Sequence, residues 1–398
     1  MLTLDMIYHA AFVLKNVARK TDIIKAPRLS ENTNIYLKTE NLQTTGSFKI
    51  RGSAYKISQL TDEEKKNGIV ACSAGNHAQG VAMAATKNGI KSTIFMPDAA
   101  PISKVEATKR LGAEVVLVPG GYDAAADAAE RFVAENNATL IHPFNDEQVI
   151  AGQGTIGLEI LDQMEDIDAV IVPVGGGGLI SGVAFAVKSL RPDVKVYGVQ
   201  AAGSASMVES LRKGGPLMID SASTFADGIA VRCPGDKTYD ITSNYVDDVV
   251  TVSEDEIATA ILSLIERQKL ITEGAGAVSV AAAMFDKLPI QGKNVVCILS
   301  GGNIDVNILS RVITRGLVRS GRNVDLTIAL EDKPGQLESV SRIIAECGGN
   351  VVSVQYDRSD VNMAITSCFL KLALETRDAD QIEEIKDRLT KEGFKIVS

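Results

Sequence analysis

The alternation of short apolar runs with helical patterns is the feature that most constrains how this chain can fold. It extends from about residue 31 to about residue 315; for example, the run 115–118 is followed by a helical pattern over 122–136. Runs of β-branched residues that alternate with helices form parallel sheets covered by helices on both faces. The sequence therefore predicts an α/β fold in which ligands bind beyond the carboxyl ends of the strands.

Length and composition narrow the class of protein. The chain has 398 residues, enough for two or three domains, and its net charge of −9 argues against a general nucleic-acid-binding surface. Its five cysteines are widely spaced, so we expect reduced thiols in a cytoplasmic protein. Its three histidines are too few for a histidine-rich metal site. Residues 1–20 predict an amphipathic helix without a signal-peptide core, and we expect no membrane partner.

A lysine bracketed by serine and glycine follows an early predicted strand. Residues 35–38 predict this strand, residues 50–60 predict a helix, and Lys49 lies in the turn between them, within 46–52 (GSFKIRG). A lysine held in such a turn can be shielded from solvent, which lowers its pKa and lets the amine form a Schiff base. A lysine of this kind is more often an ordinary surface residue, so its interpretation depends on the turns that follow.

Three further glycine-containing turns each follow a predicted strand. Residues 73–77 (SAGNH) combine backbone N–H groups with a helix N-terminus, which suits a carboxylate. Residues 175–179 (GGGGL) let backbone amides close around a phosphate, but they lack the ending of a nucleoside-triphosphate loop and the dinucleotide fingerprint. Residues 300–303 (SGGN) add a hydroxyl. An amine, a phosphate cup, a carboxylate cup and a hydroxyl together are what pyridoxal phosphate requires.

These four motifs, in this order, resemble those of the fold-type II pyridoxal-phosphate enzymes, and among them most closely the threonine dehydratases (threonine ammonia-lyases). The resemblance covers about residues 20–315. It implies a tryptophan-synthase-β-like fold of two parallel-sheet subdomains in a catalytic domain of residues 1–315, with the smaller subdomain nested at about 45–145. It also implies pyridoxal 5'-phosphate as cofactor.

The resemblance implies a role for each matching residue. Lys49 would bind the cofactor and move the Cα proton, Phe48 would pack beside the ring, and Asn76 would bond the 3'-hydroxyl of the pyridine. Ser300 would face the pyridine nitrogen as a neutral group, which favours elimination over racemisation or transamination. The phosphate would lie on Gly175, Gly176, Gly177, Gly178 and Leu179, and the substrate carboxylate on Ser73, Ala74, Gly75, Asn76 and His77.

The contrast with serine racemases, which belong to the same group, is informative. Racemases carry a serine where Ala74 stands, as the acid and base on the opposite face, and Ala74 has no proton to give. They have a polar residue where Phe144 stands, and an apolar neighbour there would accept the methyl group of threonine. Residues Asp227 and Glu273 lie in two further family-like stretches, where they would line the cofactor cavity, line a cation site, or cap helices; the sequence leaves these alternatives open.

The C-terminal region predicts a separate module. Residues 316–323 predict a basic linker, and residues 324–398 read as strand, helix, two strands (351–356 and 362–375), helix and a last strand (394–397). This βαββαβ order is ferredoxin-like. With the turn 332–337 (DKPGQL), the module resembles an ACT domain, which implies pairing between subunits and an amino-acid effector such as isoleucine or valine. The effector-binding residues would be Pro334, Gly335, Gln336, Leu337 and Asn350; a purely oligomerising module is the alternative.

The combined expectation is an allosteric lyase, a homodimer or homotetramer, that converts L-threonine to 2-oxobutanoate and ammonia, with side activity on L-serine. A serine-preferring dehydratase and a hydroxyaspartate ammonia-lyase remain as alternatives within the enzymes. A non-catalytic amino-acid sensor is the alternative from another class. A role in isoleucine biosynthesis and one in threonine catabolism are both compatible with the sequence.

Overall fold

The computed structural model describes residues 1–359 and 364–397, which divide into two compact units. The first unit comprises Met1–Asp305, and the second begins at Val306. The helices of the first unit are α1 (Leu4–Leu14), α2 (Lys49–Ser58), α3 (Asp62–Asn67), α4 (Asn76–Lys87), α5 (Ile102–Arg110), α6 (Tyr122–Asn136), α7 (Glu147–Gln163), α8 (Gly178–Leu190), α9 (Ser206–Lys213), α10 (Asp236–Tyr245), α11 (Glu254–Ser263) and α12 (Gly274–Met284). Its strands are β1 (Ile23–Lys25), β2 (Asn34–Lys38), β3 (Ile69–Cys72), β4 (Ser92–Pro97), β5 (Glu114–Val118), β6 (Thr139–Leu140), β7 (Ala169–Pro173), β8 (Lys195–Ala201), β9 (Asp248–Val252) and β10 (Asn294–Ile298).

The larger sheet of the first unit has six strands in the order β1-β2-β10-β7-β8-β9. All neighbouring strands are parallel except β1, which is antiparallel to β2. Every residue of the central strand β7 is buried, as expected for a strand covered by helices on both faces. The carboxyl ends of β7 and β10 lead directly into the turns at 175–178 and 300–303.

The smaller sheet is fully parallel, with the order β5-β4-β3-β6, and lies within the predicted smaller subdomain. Its strand β3 leads into the turn at 73–77. The prediction of an α/β fold with parallel sheets is therefore confirmed. Within the described residues, no helix combines the length and the apolar character that crossing a membrane would need.

The second unit contains an antiparallel sheet in the order β12-β13-β11-β14. Its elements are α13 (Val306–Arg319), β11 (Asn323–Glu331), α14 (Gln336–Glu346), β12 (Asn350–Asp357), β13 (Ser367–Glu375), α15 (Ala379–Lys391) and β14 (Lys395–Ile396). From β11 onward the order is βαββαβ, as predicted. The alternating strand β11 buries Leu326, Ile328 and Leu330 under the apolar faces of α14 and α15.

Two boundaries differ from the prediction. The division between the units falls after Asp305, ahead of the predicted domain end at 315, and α13 occupies the first half of the predicted linker 316–323. Two of the three basic residues that indicated a linker, Arg315 and Arg319, lie on this amphipathic helix, along which apolar residues recur at helical spacing. The third, Arg322, lies beyond the end of the helix. The predicted strand 362–375 begins at Ser367 within the described chain, and its residues 362 and 363 lie outside the described residues.

Candidate active site

Backbone hydrogen bonds join the first and fourth motifs around Lys49. The amide of Phe48 donates to the Ser300 carbonyl at 3.0 Å, and Ser47 pairs with Gly301 as an isolated antiparallel bridge. Helix α2 begins at Lys49, so the lysine lies at the junction between this bridge and the helix. The Ser300 hydroxyl is buried and donates to the Ala275 carbonyl at 3.3 Å.

The Lys49 amine is surrounded mainly by uncharged groups. Its Nζ donates to the Pro143 carbonyl at 2.9 Å and lies 5.2 Å from the centre of the Phe48 ring. Burial lowers the pKa of Lys49 from 10.5 to about 8, although the nearby Glu273 carboxylate opposes this shift. The fraction of neutral amine near neutral pH is therefore far larger than for an ordinary lysine, as a nucleophile or base requires.

The turn at 142–145 presents the carbonyl that holds Lys49. His142 Nδ1 accepts hydrogen bonds from the amides of Phe144 at 3.2 Å and Asn145 at 2.8 Å, so this nitrogen carries no proton. Burial, with a further effect of Lys49, lowers the pKa of His142 to about 4 and keeps the imidazole neutral. The neutral ring thus closes the turn around Pro143.

The tetraglycine loop packs against the same turn. Gly177 has a φ of +96°, and α8 begins at Gly178. A Cβ on Gly176 would lie 2.4 Å from the Phe144 ring, so the loop has no room for a side chain at this position. Glycine is therefore required at position 177 by the backbone conformation and at position 176 by the close approach of Phe144. The backbone amides of this loop, next to the N-terminus of α8, form a cradle that suits a phosphate.

The turn at 73–77 connects β3 to α4 and is half-buried up to Asn76. The amide of Gly75 donates to Ser73 Oγ at 3.2 Å, and a Cβ on Gly75 would meet nothing within 4 Å, so this turn borders open space. The His77 imidazole is buried and bonds the Ile141 carbonyl at 2.7 Å; burial and Lys49 lower its pKa to about 3. The His77 side chain thus holds the wall of the site as a neutral group.

Two asparagine side chains connect the second and fourth motifs with Glu273. Asn303 Nδ2 donates to the Thr45 carbonyl at 2.9 Å and to Asn76 Oδ1 at 2.8 Å. Asn76 Nδ2 donates to Glu273 Oε1 at 2.7 Å. Burial, and then the like charge of Asp227, raise the pKa of the Glu273 carboxyl from 4.5 to about 7. We call this chain of hydrogen bonds the asparagine relay.

The alternatives left open for Asp227 and Glu273 can now be compared with the structure. Glu273 is the residue before α12, but its side chain makes no capping hydrogen bond there and bonds Asn76 instead. Asp227 forms an ion pair with Lys104 of α5. Among residues 1–359 and 364–397, no cluster of three or more His, Cys, Asp or Glu side chains could hold a metal ion.

The structure brings the predicted residues of the first unit together around Lys49. Ser300 is joined to the Lys49 turn by backbone hydrogen bonds, the loop 175–179 packs against the turn that holds the Lys49 amine, and Asn76 belongs to the asparagine relay. The predicted effector residues lie in the second unit, where Gly335 has a φ of +90° before α14 and Asn350 Nδ2 donates to Glu375 at 2.9 Å. Sequence reasoning assigned no role to His142, to the Pro143 carbonyl or to Asn303. Sequence reasoning had singled out Phe144 of the same turn, but only for its apolar side chain.

The residues present fit pyridoxal phosphate. The tetraglycine cradle excludes side chains next to the N-terminus of α8, as a phosphate requires. The half-buried lysine has a lowered pKa, as Schiff-base chemistry requires. Asn76 and Ser300 offer neutral polar groups for a pyridine ring.

Comparison with known proteins agrees with this fit. The family model described as "Pyridoxal-phosphate dependent enzyme" matches residues 14–301. The chain is 51% identical to an L-threonine ammonia-lyase of Thermotoga maritima, over 100% of this chain and 99% of that protein. It is similar in structure to threonine deaminase isoform 2 of Solanum lycopersicum, with a TM-score of 0.74 and 37% identity over 78% of this chain and 88% of that chain. It is also similar to maize serine racemase, with a TM-score of 0.75 and 34% identity over 80% of this chain and 98% of that chain.

The predicted resemblance to fold-type II enzymes, and with it the predicted cofactor, is confirmed by these matches. The chain belongs to the family of pyridoxal-phosphate dependent enzymes.

Proposed function

We propose that this enzyme converts L-threonine to 2-oxobutanoate and ammonia, with L-serine as a slower substrate. The β-hydroxyl leaves as water, and one water molecule is taken up again when the resulting imine is hydrolysed and ammonia is released. The observation that carries the proposal is the Lys49 amine, whose pKa is lowered to about 8 between the Pro143 carbonyl and the Phe48 ring. The full-length relative that is named for the same reaction supports the choice of substrate.

The cofactor would be held by residues of all four motifs. Pyridoxal phosphate, when bound, supplies an electron sink next to the substrate α-carbon. The glycine cradle, Gly175 to Gly178 with Leu179, would take the phosphate, while Phe48, Asn76 and Ser300 would contact the ring. Because Ser300 is a neutral group whose hydroxyl already bonds the Ala275 carbonyl, it would not keep a ring nitrogen protonated as an aspartate would.

Lys49 would act as the base that removes the proton from the substrate α-carbon. The Pro143 carbonyl accepts a hydrogen bond from Nζ and so aims the amine within the site. The substrate carboxylate would lie on the turn Ser73, Ala74, Gly75, Asn76 and His77, which borders open space. Ala74 offers no proton on the other face, so elimination rather than racemisation follows from these residues.

The second unit would act as a regulatory ACT module. Its βαββαβ order and the left-handed Gly335 before α14 support this assignment. We propose that isoleucine or valine binds near Pro334, Gly335, Gln336, Leu337 and Asn350, in a homodimer or homotetramer, and that the regulated reaction serves isoleucine biosynthesis. The five cysteines are free thiols, which supports a place in the cytoplasm.

The decisive experiment is the Lys49→Ala variant. Loss of the base should lower the rate of 2-oxo acid release from L-threonine by about 10²–10⁴-fold. The Lys66→Ala variant, at an exposed position on α3, serves as the matched control and should retain the wild-type rate. Rates on threonine, serine and hydroxyaspartate, each with and without L-isoleucine, would order the substrates and test the regulatory unit. Undiminished turnover by Lys49→Ala, or a wild type without visible absorption from the bound cofactor, would contradict the proposal.

A further inference from the structure

We propose that Glu273 is a positioning residue of this site: as the end of the asparagine relay it fixes the amide of Asn76, and its charge controls how tightly the site holds its cofactor. This inference rests on the proposed function, because it takes Asn76 as a group that contacts the cofactor. It adds to the site a carboxyl group for which the reaction itself gives no role.

The direction of the relay follows from its two ends. The Thr45 carbonyl and an ionised Glu273 carboxylate can only accept hydrogen bonds. Asn303 must therefore present its Nδ2 to Thr45, and Asn76 must present its Nδ2 to Glu273. The bond from Asn303 to Asn76 Oδ1 agrees with both orientations. The Asn76 amide is thus held in one orientation, with one N–H and one lone pair left for a ligand.

The protein provides a close-fitting place for the carboxyl group. Glu273 is 5% exposed, and a Cβ on Gly301 would lie 2.3 Å from its Oε1. The amide of Glu273 itself donates to the Gly301 carbonyl at 3.1 Å, which ties the residue to the fourth motif. The carboxyl group is therefore enclosed by the site and not directed to solvent.

The charged groups around Glu273 determine when it ionises. Burial and the negative charge of Asp227 raise the Glu273 pKa. Lys104, which forms an ion pair with Asp227, lowers it, as do Asn76 and Lys49. The result is a pKa of about 7, so the carboxylate is present above this pH and is lost as the pH falls through it. A hydrogen bond to a charged acceptor is stronger than one to a neutral acceptor. The Asn76 amide is thus held more firmly above about pH 7 than below it.

The Glu273→Gln variant separates charge from shape, because glutamine resembles a protonated glutamic acid. The measurement is the dissociation constant of pyridoxal phosphate, followed by visible absorption from pH 6 to pH 8.5 in wild type and variant. At pH 6 the two proteins should bind equally, and at pH 8.5 the wild type should bind about tenfold more tightly. The ratio of the two constants cancels the titration of the cofactor phosphate, which both proteins share. The Lys49 pKa is lower in the variant, because Glu273 no longer raises it, and the larger fraction of neutral amine at pH 8.5 would favour binding by the variant, against the expected difference. A ratio that stays constant with pH would overturn the proposal.

Two further variants keep the test decisive if Glu273→Gln folds poorly. Asp227→Asn, at an exposed position, removes a charge that raises the Glu273 pKa, so the pH dependence of cofactor affinity should move to lower pH. Asn303→Ala breaks the other end of the relay and should weaken binding at every pH. Unchanged behaviour of either variant would contradict the relay. A wild type that neither binds pyridoxal phosphate nor converts threonine would instead refute the proposed function.

Discussion

Lys49 and Arg51 lie two residues apart on α2, the first half-buried and the second fully buried, yet the groups around their charges differ. Arg51 is 1% exposed and bonds Glu40 at 2.8 Å and Glu159 at 2.6 Å. The Lys49 amine instead bonds a neutral carbonyl and lies near an aromatic ring. The charge of Arg51 is compensated by carboxylates in direct contact, whereas the charge of Lys49 is left largely uncompensated.

The pKa of Arg51 is raised, and the pKa of Lys49 is lowered. Burial alone would lower the pKa of Arg51, but the Glu40 and Glu159 carboxylates outweigh burial and hold it above its ordinary value. Burial lowers the pKa of Lys49 to about 8, because Glu273 compensates it only in part. Burial by itself thus does not decide whether a cation is structural or reactive; the charges in contact with it do.

The Arg51 cluster also explains how α2 is held in place. Lys38 of β2 bonds Glu159 of α7 at 2.6 Å and the Thr21 carbonyl at 2.6 Å, while Arg51 Nη2 bonds the Arg19 carbonyl at 3.0 Å. These bonds join the N-terminal segment, the larger sheet and α7 to the helix that carries Lys49. We infer that this cluster keeps the helix fixed while the amine at its N-terminus reacts.

The largest expected effect is that of Arg51→Met. Removing the cation leaves the buried Glu40 without its main partner and the half-buried Glu159 with Lys38 alone, which should lower the free energy of unfolding by about 3–5 kcal/mol. Urea denaturation of the cofactor-free protein would measure this change. The matched control is Arg342→Met on the surface of α14, where the ion pair with Glu346 is exposed and its loss should have little effect. Equal stability of Arg51→Met and wild type would show that the two charges are not treated differently.

The Lys49→Met substitution should raise the free energy of unfolding, whereas Arg51→Met should lower it. A lysine whose folded pKa is about 8 and whose ordinary value is 10.5 costs the fold about 3 kcal/mol when protonated, and methionine avoids this cost. The gain should be complete below pH 8, fade between pH 8 and pH 10.5, and vanish above, where the lysine is neutral in both states. Urea denaturation of the cofactor-free protein at pH 7 and at pH 10 would test this. A variant less stable than wild type at pH 7 would contradict our account of Lys49.

A smaller effect is expected at the turn that holds the Lys49 amine. His142→Ala leaves the amides of Phe144 and Asn145 without their acceptor, so the Pro143 carbonyl should lose its aim at Lys49 and kcat should fall about tenfold. His142→Asn should restore most of kcat, because an asparagine oxygen accepts from the amides two and three residues later. Steady-state rates on threonine, with kcat and KM separated, would measure both. Equal kcat values for the two variants would exclude a role of the turn in aiming Lys49.

Much of the fold could be predicted from local patterns. The alternation of β-branched runs with helical spacing predicted both parallel sheets, and helix α6 has the predicted bounds, Tyr122–Asn136. The glycine turns could be placed because a parallel strand that ends in glycine leaves few alternatives. The linker prediction was less accurate because basic residues alone do not distinguish a linker from an amphipathic helix such as α13.

The sequence by itself therefore determined the class of fold, the position of Lys49 and the loops around it, since each depends on neighbouring residues. Only the tertiary structure decided which partners these residues meet. Lys49 bonds a carbonyl 94 residues away, and Asn76 bonds a carboxylate 197 residues away. A backbone carbonyl has no signature in the sequence, and a buried glutamate looks like a helix cap until its neighbours are known. The pKa values that make the site reactive arise from these distant contacts, so they are shifted only once the chain has folded.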